Sequence, residues 1–365
     1  MSSSNTVPSI IWVELLGSTS GDAGTDVVIT NDGGIYVFGM MSDGVSLLDG
    51  GQLPYGEAFV AKYSDSGSRL WAKSLGAGNQ GSNLSAAAAQ NGMIFVVGRT
   101  DQSIDSQTNN GNWDAYLIAL SGNGAKVWTR LIGSPTSDDA YSVATHSDGS
   151  IYVVGETDGS FDGQIHSGGK DGFVTKFDAA GNKIWTRFIG SSAYDVIYGV
   201  AVSQDGSIYL GGSTQGNLDG QTFKGGMDGF LTKLSANGTK LWTRLIGGVS
   251  TDEVRGVALG PDGSIFVTGY THNNLDGEIN KGWGDIFVSK FTADGSRLWT
   301  RLLGSTKGEY ANAIVVSTDG SIFVAGVAEG GSGGLGLNGT FDALIAKFEC
   351  PSLGIGFESK GLFNH

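Results

Sequence analysis

Acidic side chains recur at one fixed position of this sequence, where they suit either a bound cation or a capped loop. Ten residues after each of six regularly spaced tryptophans stand Asp22, Gly81, Asp138, Asp195, Asp252 and Glu309. If the repeats surround a common axis, the five carboxylates would lie around one mouth of its channel. Ca²⁺ prefers several oxygen ligands of this kind, so these residues are candidate Ca²⁺ ligands. The competing interpretation, which we favour, is that each carboxylate caps backbone N–H groups of its own turn.

Two further acidic series accompany the first. One opens an apolar segment in every repeat: Glu57, Asp114, Asp171, Asp228, Asp285 and Asp342. Its regularity indicates that it orders the loop before it by accepting backbone N–H groups. The other lies inside that loop in four repeats: Asp105, Asp162, Asp219 and Asp276. Binding usually resides on such long loops. Asp162, Asp219 and Asp276 are therefore candidate ligand contacts, together with Trp113 and Trp283.

Other catalytic chemistry finds no support in the sequence. Glycines 331, 333 and 336 match a dinucleotide fingerprint, but a strand pattern follows them where the fingerprint needs a helix. The four histidines are scattered without a recurrent partner, and Cys350 lies in the tail without a plausible catalytic base. We therefore predict no catalytic residue and no organic cofactor.

The composition further limits the classes of function that fit this chain. The 36 acidic residues outweigh 22 basic ones, and the net charge of −14 opposes binding to nucleic acid or anionic lipid. No apolar run is long enough to cross a bilayer. Residues 1–12 lack the basic and apolar regions of an ordinary signal peptide. A single cysteine allows no internal disulfide.

The tryptophans mark an internal repeat. Each opens the pattern W-x-x-x-x-G, and the last five are 57 residues apart: Trp12, Trp71, Trp128, Trp185, Trp242 and Trp299. Each repeat has four short apolar-polar segments rich in Val, Ile, Phe and Tyr, without a helical period. Asp148-Gly149, between two of them, favours a type I′ hairpin turn. Four antiparallel strands in each of six repeats predict an all-β fold, a six-bladed β-propeller.

The ends of the chain complement each other. Residues 9–16 read as a lone fourth strand, and the last repeat lacks its fourth strand, so we expect residues 9–16 to complete the last blade and close the ring. The domains are then an N-terminal tail at 1–8, one propeller at 9–349 and a C-terminal tail at 350–365. The six repeated tryptophans would be buried between blades as structural docking residues, packed over neighbouring glycine-rich backbone.

The repeat resembles a known bacterial family. The pattern W-T-R-x-[LI]-G, then D-G-S-I-Y-V-x-G-x-T, then G-G-x-D-G-F-x-T-K-F is clearest over residues 128–184. It resembles the β-propeller repeat called SBBP and extends over most of the chain. This resemblance implies a propeller scaffold, usually in bacterial extracellular or surface-associated proteins, without a common enzymatic activity.

We therefore expect a non-enzymatic scaffold or binding module of a bacterial exported or surface-associated protein. Its ligand would be a protein or a neutral glycan on the long-loop face, and the route of export would not need a classical signal peptide; a cytoplasmic location stays open. The alternative is a Ca²⁺-dependent hydrolase or lyase at the carboxylate-lined mouth. Near-identical repeats argue against the enzyme, because catalysis needs different groups at different points of a site. Only repeats one, two and six depart visibly from the pattern.

Overall fold

The structure is a computed structural model that describes residues 23–40, 45–46, 52–53, 57–78, 84–329 and 341–348. These residues form β-strands and turns, with no helix long and apolar enough to cross a membrane. The chain divides into two compact units, unit 1 at residues 1–132 and unit 2 at residues 133–365. Each unit is built from consecutive antiparallel sheets, which we call blades.

Unit 1 contains blades 1 and 2. Blade 1 pairs its strands in the order β1-β2-β5-β6, namely β1 Ala23–Ile29, β2 Ile35–Met40, β5 Glu57–Tyr63 and β6 Arg69–Gly78. A small hairpin is inserted in it, β3 Val45–Ser46 with β4 Gln52–Leu53. Blade 2 consists of β7 Ser85–Ala88, β8 Ile94–Thr100, β9 Asp114–Leu120 and β10 Lys126–Ile132.

Unit 2 contains blades 3 to 6. Blade 3 consists of β11 Asp138–Thr145, β12 Ile151–Thr157, β13 Asp171–Phe177 and β14 Lys183–Ile189. Blade 4 consists of β15 Asp195–Val202, β16 Ile208–Thr214, β17 Asp228–Leu234 and β18 Lys240–Ile246. Blade 5 consists of β19 Asp252–Leu259, β20 Ile265–Thr271, β21 Asp285–Phe291 and β22 Arg297–Leu303. Blade 6 has three described strands, β23 Glu309–Val316, β24 Ile322–Glu329 and β25 Phe341–Phe348.

Six sheets of sequential antiparallel strands confirm the predicted all-β propeller fold class. Residues 9–16, which we expect to supply the fourth strand of blade 6, lie outside the described residues, as do both predicted tails. Closure of the ring therefore stays a prediction.

The core of unit 2 lies between consecutive blades. The second strands of blades 3, 4 and 5 are buried on both faces, and in β12 every residue is buried. Tyr152 and Val154 of blade 3 belong to one apolar cluster with Ile197 and Val200 of blade 4. Strands rich in β-branched and aromatic residues therefore stack face to face, which is how a short repeat buries apolar surface that it could not bury alone.

The repeated tryptophans lie at these contacts between blades. A Cβ atom placed on Gly238, in a turn of blade 4, would stand 3.1 Å from the indole of Trp185 in blade 3. Trp242 has the same relation to Gly295 of blade 5 at 3.0 Å. These indoles are half-buried rather than fully buried as expected, because the fourth strand is the edge of its sheet. Trp12 lies outside the described residues.

The hairpin at Asp148-Gly149 differs from the predicted type I′ turn. Gly149 has a φ of +85°, but Asp148 is not among the residues with positive φ, and a type I′ turn needs both. The N–H of Gly149 instead donates to the carbonyl of His146 at 3.0 Å. The Asp148 carboxylate accepts the N–H of Ser150 at 2.8 Å, so the loop is longer than a two-residue turn.

One end of the blades in unit 2 carries the long loops, and we call it the loop face. It comprises the loops 158–170, 215–227 and 272–284 and the linkers 190–194, 247–251 and 304–308. Each loop is tied to the linker beside it by a parallel bridge, as between Lys170 and Tyr194 or Met227 and Thr251. Loops and linkers therefore form one continuous surface.

Candidate functional site

The first acidic series is buried and engaged within its own linker. Asp138, Asp195, Asp252 and Glu309 are the first residues of β11, β15, β19 and β23, where we expected them just before the strand. The carboxylate of Asp195 accepts the N–H of Ser191 at 2.6 Å, and that of Asp252 accepts the N–H of Gly248 at 2.8 Å. Asp138 and Glu309 accept the N–H of the residue four positions earlier in the same way. Burial raises the pKa of Asp195 and of Asp252.

This arrangement has the geometry of loop capping. Among the described residues, no three His, Cys, Asp or Glu side chains are grouped so that they could hold a metal ion. Asp22 and Gly81 lie outside the described residues. A Ca²⁺ site formed by the series stays a prediction.

The second series anchors the long loops. Asp114, Asp171, Asp228 and Asp285 are fully buried at the starts of β9, β13, β17 and β21. Each accepts the N–H of the residue four positions earlier, for example Ser167 on Asp171 at 2.7 Å and Lys224 on Asp228 at 3.0 Å. Each carboxylate therefore fixes the end of a long loop to the first residue of the strand that follows it.

The third series is engaged inside its own blade. Asp162, Asp219 and Asp276 have φ between +52° and +57°, a left-handed conformation that aspartate adopts more readily than most residues. Asp162 pairs with Lys183 and accepts the Thr186 hydroxyl at 2.7 Å. Asp219 and Asp276 make equivalent contacts with the fourth strand of their own blades. Ligand binding by these aspartates stays a prediction.

The two remaining tryptophans differ in exposure. Trp113, in unit 1, is half-buried, with the Arg99 guanidinium 4.6 Å from its ring centre. Trp283 lies in the loop of blade 5 and is 79% exposed. Three more apolar side chains stand out on the loop face, namely Ile165 at 80%, Val249 at 81% and Ile279 at 71% exposed. Large apolar side chains gathered on one face are typical of a contact surface.

A group of residues that we did not predict lies on the innermost strands of unit 2. The first strand of each blade has a β-bulge, and the extra residue is Tyr141 in blade 3, Tyr198 in blade 4 and Arg255 in blade 5. We call these three residues the bulge row. The Tyr141 and Tyr198 rings are 5.3 Å apart, and the Arg255 guanidinium lies 3.9 Å from the Tyr198 ring centre. Bulges redirect side chains, and here they bring those of successive blades together.

Two ion pairs flank the bulge row, each between a buried carboxylate and a partly exposed cation. Arg255 pairs with Glu253 at 2.5 Å, and the Tyr270 hydroxyl donates to the same carboxylate at 2.6 Å. On the other side, Lys170 pairs with Glu156 at 2.5 Å, and Tyr194 donates to Glu156 at 2.6 Å. Burial raises the pKa of Tyr198 to about 12. The phenols of the cluster are therefore neutral at physiological pH.

Our expectation that only repeats one, two and six break the symmetry was wrong. Blades 3, 4 and 5 share the residues that form the scaffold. They differ at the bulged position of the first strand, which is tyrosine in blades 3 and 4 and arginine in blade 5. The sequence does carry the signal, because the position three residues after the first acidic series reads Tyr141, Tyr198, Arg255 and Asn312. A search for identical positions overlooks such a site.

Comparison with known families agrees with the repeat found here. The SBBP family model, a beta-propeller repeat, matches residues 127–162, 184–219 and 241–276. These three segments resemble the SBBP repeat. The predicted resemblance is thereby confirmed, and each matched repeat runs from a fourth strand through the first two strands of the next blade into its long loop. Tyr141, Tyr198 and Arg255 occupy the same place in the three repeats.

One curated relative is the regulatory protein FlaEY of Caulobacter vibrioides, with 29% identity over 271 residues. The alignment covers 64% of this chain and 28% of the relative, so the chain spans little more than a quarter of that protein. Among solved structures, a protein of unknown function from Bacteroides caccae has 11% identity and a TM-score of 0.46, covering 81% of this chain and 86% of its own. The Neurospora crassa Pan2 WD40 domain has 10% identity and a TM-score of 0.45, covering 83% and 86%.

Proposed function

We propose that this chain is a non-enzymatic binding module whose loop face in unit 2 holds a partner protein. The observation that carries the proposal is the exposure of Ile165, Val249, Ile279 and Trp283 on that one face. Isolated exposed apolar side chains need no explanation, but four large ones on neighbouring loops and linkers do. Tryptophan is also one of the residues that most often carries binding energy at protein interfaces.

The loops are prepared for binding by their anchors. Asp171 and Asp285 fix the ends of the loops that carry Ile165 and Ile279, and Asp162 and Asp276 fix the turns inside them. A surface ordered before binding loses less conformational entropy when its partner arrives. The third acidic series thus supports the contact surface by ordering its loops.

Charge indicates what kind of partner fits. The chain carries a net charge of −14, so a partner with an apolar centre and a basic rim would be steered towards it. The relative's description as a regulatory protein supports a binding role rather than turnover. We further propose, from the SBBP repeats, that the module acts in a bacterial exported or surface-associated protein.

A photo-crosslinking experiment tests the position of the contact. A benzoylphenylalanine residue would replace Ile279 in one sample and Ile184, which is 53% exposed on the outer strand β14, in another. We expect one specific crosslinked protein from the native host at position 279 and none at 184. The captured protein, once identified and purified, should bind the unmodified module and lose affinity for Ile279→Ser. Equal crosslinking at both positions, or unchanged affinity of Ile279→Ser, would contradict the proposal.

A further inference from the structure

We propose that the loop face holds an arginine side chain of its partner on aromatic rings at the junction of blades 5 and 6. This inference rests on the proposed function, because it assigns a chemical class to one part of the same contact. The rings belong to Tyr270, His272 and Tyr310, which we call the aromatic cluster. Tyr270 lies near the end of β20, His272 begins the loop that follows, and Tyr310 lies at the start of β23.

The rings of the aromatic cluster are in mutual contact and reach the surface. The Tyr270 and Tyr310 ring centres are 4.9 Å apart, and the His272 ring centre lies 5.5 Å from the first and 6.4 Å from the second. His272 is exposed, and both tyrosines are half-buried. A Cβ atom placed on Gly284 would stand 2.8 Å from Cδ2 of His272, so the imidazole also packs on backbone. Rings ordered in this way lose little conformational freedom when a ligand stacks on them.

Another junction of unit 2 covers its aromatic ring with a cation of its own. Between blades 3 and 4, the Lys170 ammonium lies 5.8 Å from the centre of the Tyr194 ring. Two repeats later in the chain, the corresponding positions are Gly284 and Gly308. The junction of blades 5 and 6 therefore lacks the side chain that supplies the cation at the junction of blades 3 and 4.

The tyrosines of the aromatic cluster are not covered by a cation from elsewhere in unit 2. Of the lysines and arginines that the structure describes, none lies over the ring of Tyr270 or Tyr310. Arg255 contacts the Tyr270 hydroxyl, but its guanidinium lies over the ring of Tyr198, 3.9 Å from the ring centre. The accessible surface of the cluster is thus open to a cation that another molecule supplies.

The charges around the aromatic cluster favour such a cation. Burial raises the pKa of the Tyr310 phenol, and the nearby carboxylates of Glu329 and Glu309 raise it further. Glu309 is buried and Glu329 half-buried, whereas the lysines of the adjoining loop and linker, Lys281 and Lys307, are exposed. Water screens the exposed lysines more strongly than the carboxylates. Arginine fits better than lysine, because its planar and weakly hydrated guanidinium stacks on aromatic rings.

NMR with histidine labelled at the imidazole tests the site in the whole chain. The four histidines give four signals, and His272→Gln identifies that of His272. The probes are N-acetylarginine amide and its neutral isostere N-acetylcitrulline amide at pH 8. We expect the arginine compound to shift the His272 signal until it saturates, and the citrulline compound to leave it in place.

Variants locate the bound cation. Tyr310→Leu removes one ring and Glu329→Gln removes one charge, and each should weaken binding of the arginine compound about threefold or more. Trp283→Ala changes the loop face outside the aromatic cluster and should leave the affinity unchanged. Circular dichroism verifies that each variant is folded.

The outcomes separate this proposal from the proposed function. No shift with the arginine compound, or an equal shift with the citrulline compound, would overturn the assignment of arginine. Unchanged affinity in both Tyr310→Leu and Glu329→Gln would overturn the assignment of the site. A partner that loses affinity for Ile279→Ser, together with a chain that does not bind the arginine compound, would retain the loop-face contact and remove only this inference. Arginine binding together with equal crosslinking at positions 279 and 184 would contradict the proposed function instead.

Discussion

Individual tryptophans in this chain have different surroundings, and these surroundings predict different effects on stability. Trp185 packs on Gly238 of the next blade and lies 6.2 Å from the ring of Tyr152, with Arg187 above it. Trp283 is mostly surrounded by solvent. The first indole is part of the contact between blades, whereas the second contributes little to the folded state.

Replacing the two tryptophans by alanine should therefore separate stability from binding. Trp185→Ala removes a half-buried aromatic ring, and we expect the free energy of unfolding to fall by about 2 kcal/mol or more. Trp283→Ala should change it by less than about 0.5 kcal/mol. Urea unfolding followed by fluorescence or circular dichroism measures both. Equal losses in the two variants would mean that the repeated tryptophan does not hold the blades together.

Residue positions were easier to predict when they were identical between repeats. The buried aspartates and the repeated tryptophans stand out as periodic letters. The sequence analysis did not find the bulge row, Tyr141, Tyr198 and Arg255, because these residues differ from one another. The alternation of apolar and polar residues in a strand also does not reveal a bulge. The extra residue shifts the side-chain register, and only the three-dimensional pairing shows which side chain is re-aimed.

At the scale of a loop and the strand that follows it, the buried aspartates determine how stability depends on pH. Burial raises the pKa of Asp114, while the backbone N–H groups of Asn110 and Gly111 oppose the shift. A pKa raised in the folded state means that the group stabilises the fold below its unfolded pKa of 3.8, and that this contribution is lost as the pH rises through the folded pKa. Asp171, Asp228 and Asp285 share this direction.

The free energy of unfolding should accordingly decline between about pH 4 and pH 7, and less steeply in Asp114→Asn. Asp205 provides the opposite control, because hydrogen bonds from Ser203 and the Ser207 N–H lower its pKa to about 2. Its contribution is present above pH 3.8 and is lost only as the pH falls towards 2. Asp205→Asn should leave the slope between pH 4 and 7 unchanged. A slope unaffected by Asp114→Asn would show that this carboxylate titrates normally.

The linkers that begin the first strands allow a test of metal binding. Asp195 and Asp252 already accept backbone N–H groups, so we expect the same melting temperature in excess Ca²⁺ and in EDTA. Binding to the native state would instead raise the melting temperature with Ca²⁺ concentration. Differential scanning calorimetry decides between the two. A Ca²⁺-dependent increase that Asp195→Asn and Asp252→Asn abolish would establish the metal site.

Strands and turns could be predicted where the local sequence determines them. Short β-branched segments separated by glycine turns predicted the strands of every blade. The turn at Asp148-Gly149 was predicted as type I′ because the dipeptide favours it. The structure has a longer loop because the Asp148 carboxylate captures the N–H of Ser150, a contact that competes with the tighter turn. The turn propensity of a dipeptide does not take hydrogen bonds of this kind, from backbone to side chain, into account.

For the whole molecule, the firmest expectation concerns ring closure. The sequence predicts that residues 9–16 pair with β25 to complete blade 6. Deleting residues 1–17 would then leave a strand edge unpaired, and we expect the melting temperature to fall by at least about 5 °C. Deleting residues 1–8 removes the tail but keeps the predicted strand, so this control should melt like the full chain. Equal melting temperatures for both deletions would contradict closure.

The repeat and its fold class could be predicted because a period of 57 residues repeats every strand and turn signal several times. For the contact surface, the sequence predicted only that binding takes place on the face with the long loops, not which side chains are exposed there. Exposure of Ile165 and Ile279, against the partial burial of Trp113, depends on how each loop packs on the linker beside it. The partner is not encoded in the scaffold residues, since one fold supports many functions.

The affinity of the loop-face partner measures the central claim most directly. Titration calorimetry with the partner identified by crosslinking would compare three proteins: the unmodified chain, the double variant Ile279→Ser with Trp283→Ala, and Ile184→Ser. The last is a control, because it removes exposed apolar surface outside the loop face. We predict a dissociation constant raised about tenfold or more in the double variant and unchanged in Ile184→Ser. Equal affinity in all three proteins would contradict the assignment of the loop face as the binding surface.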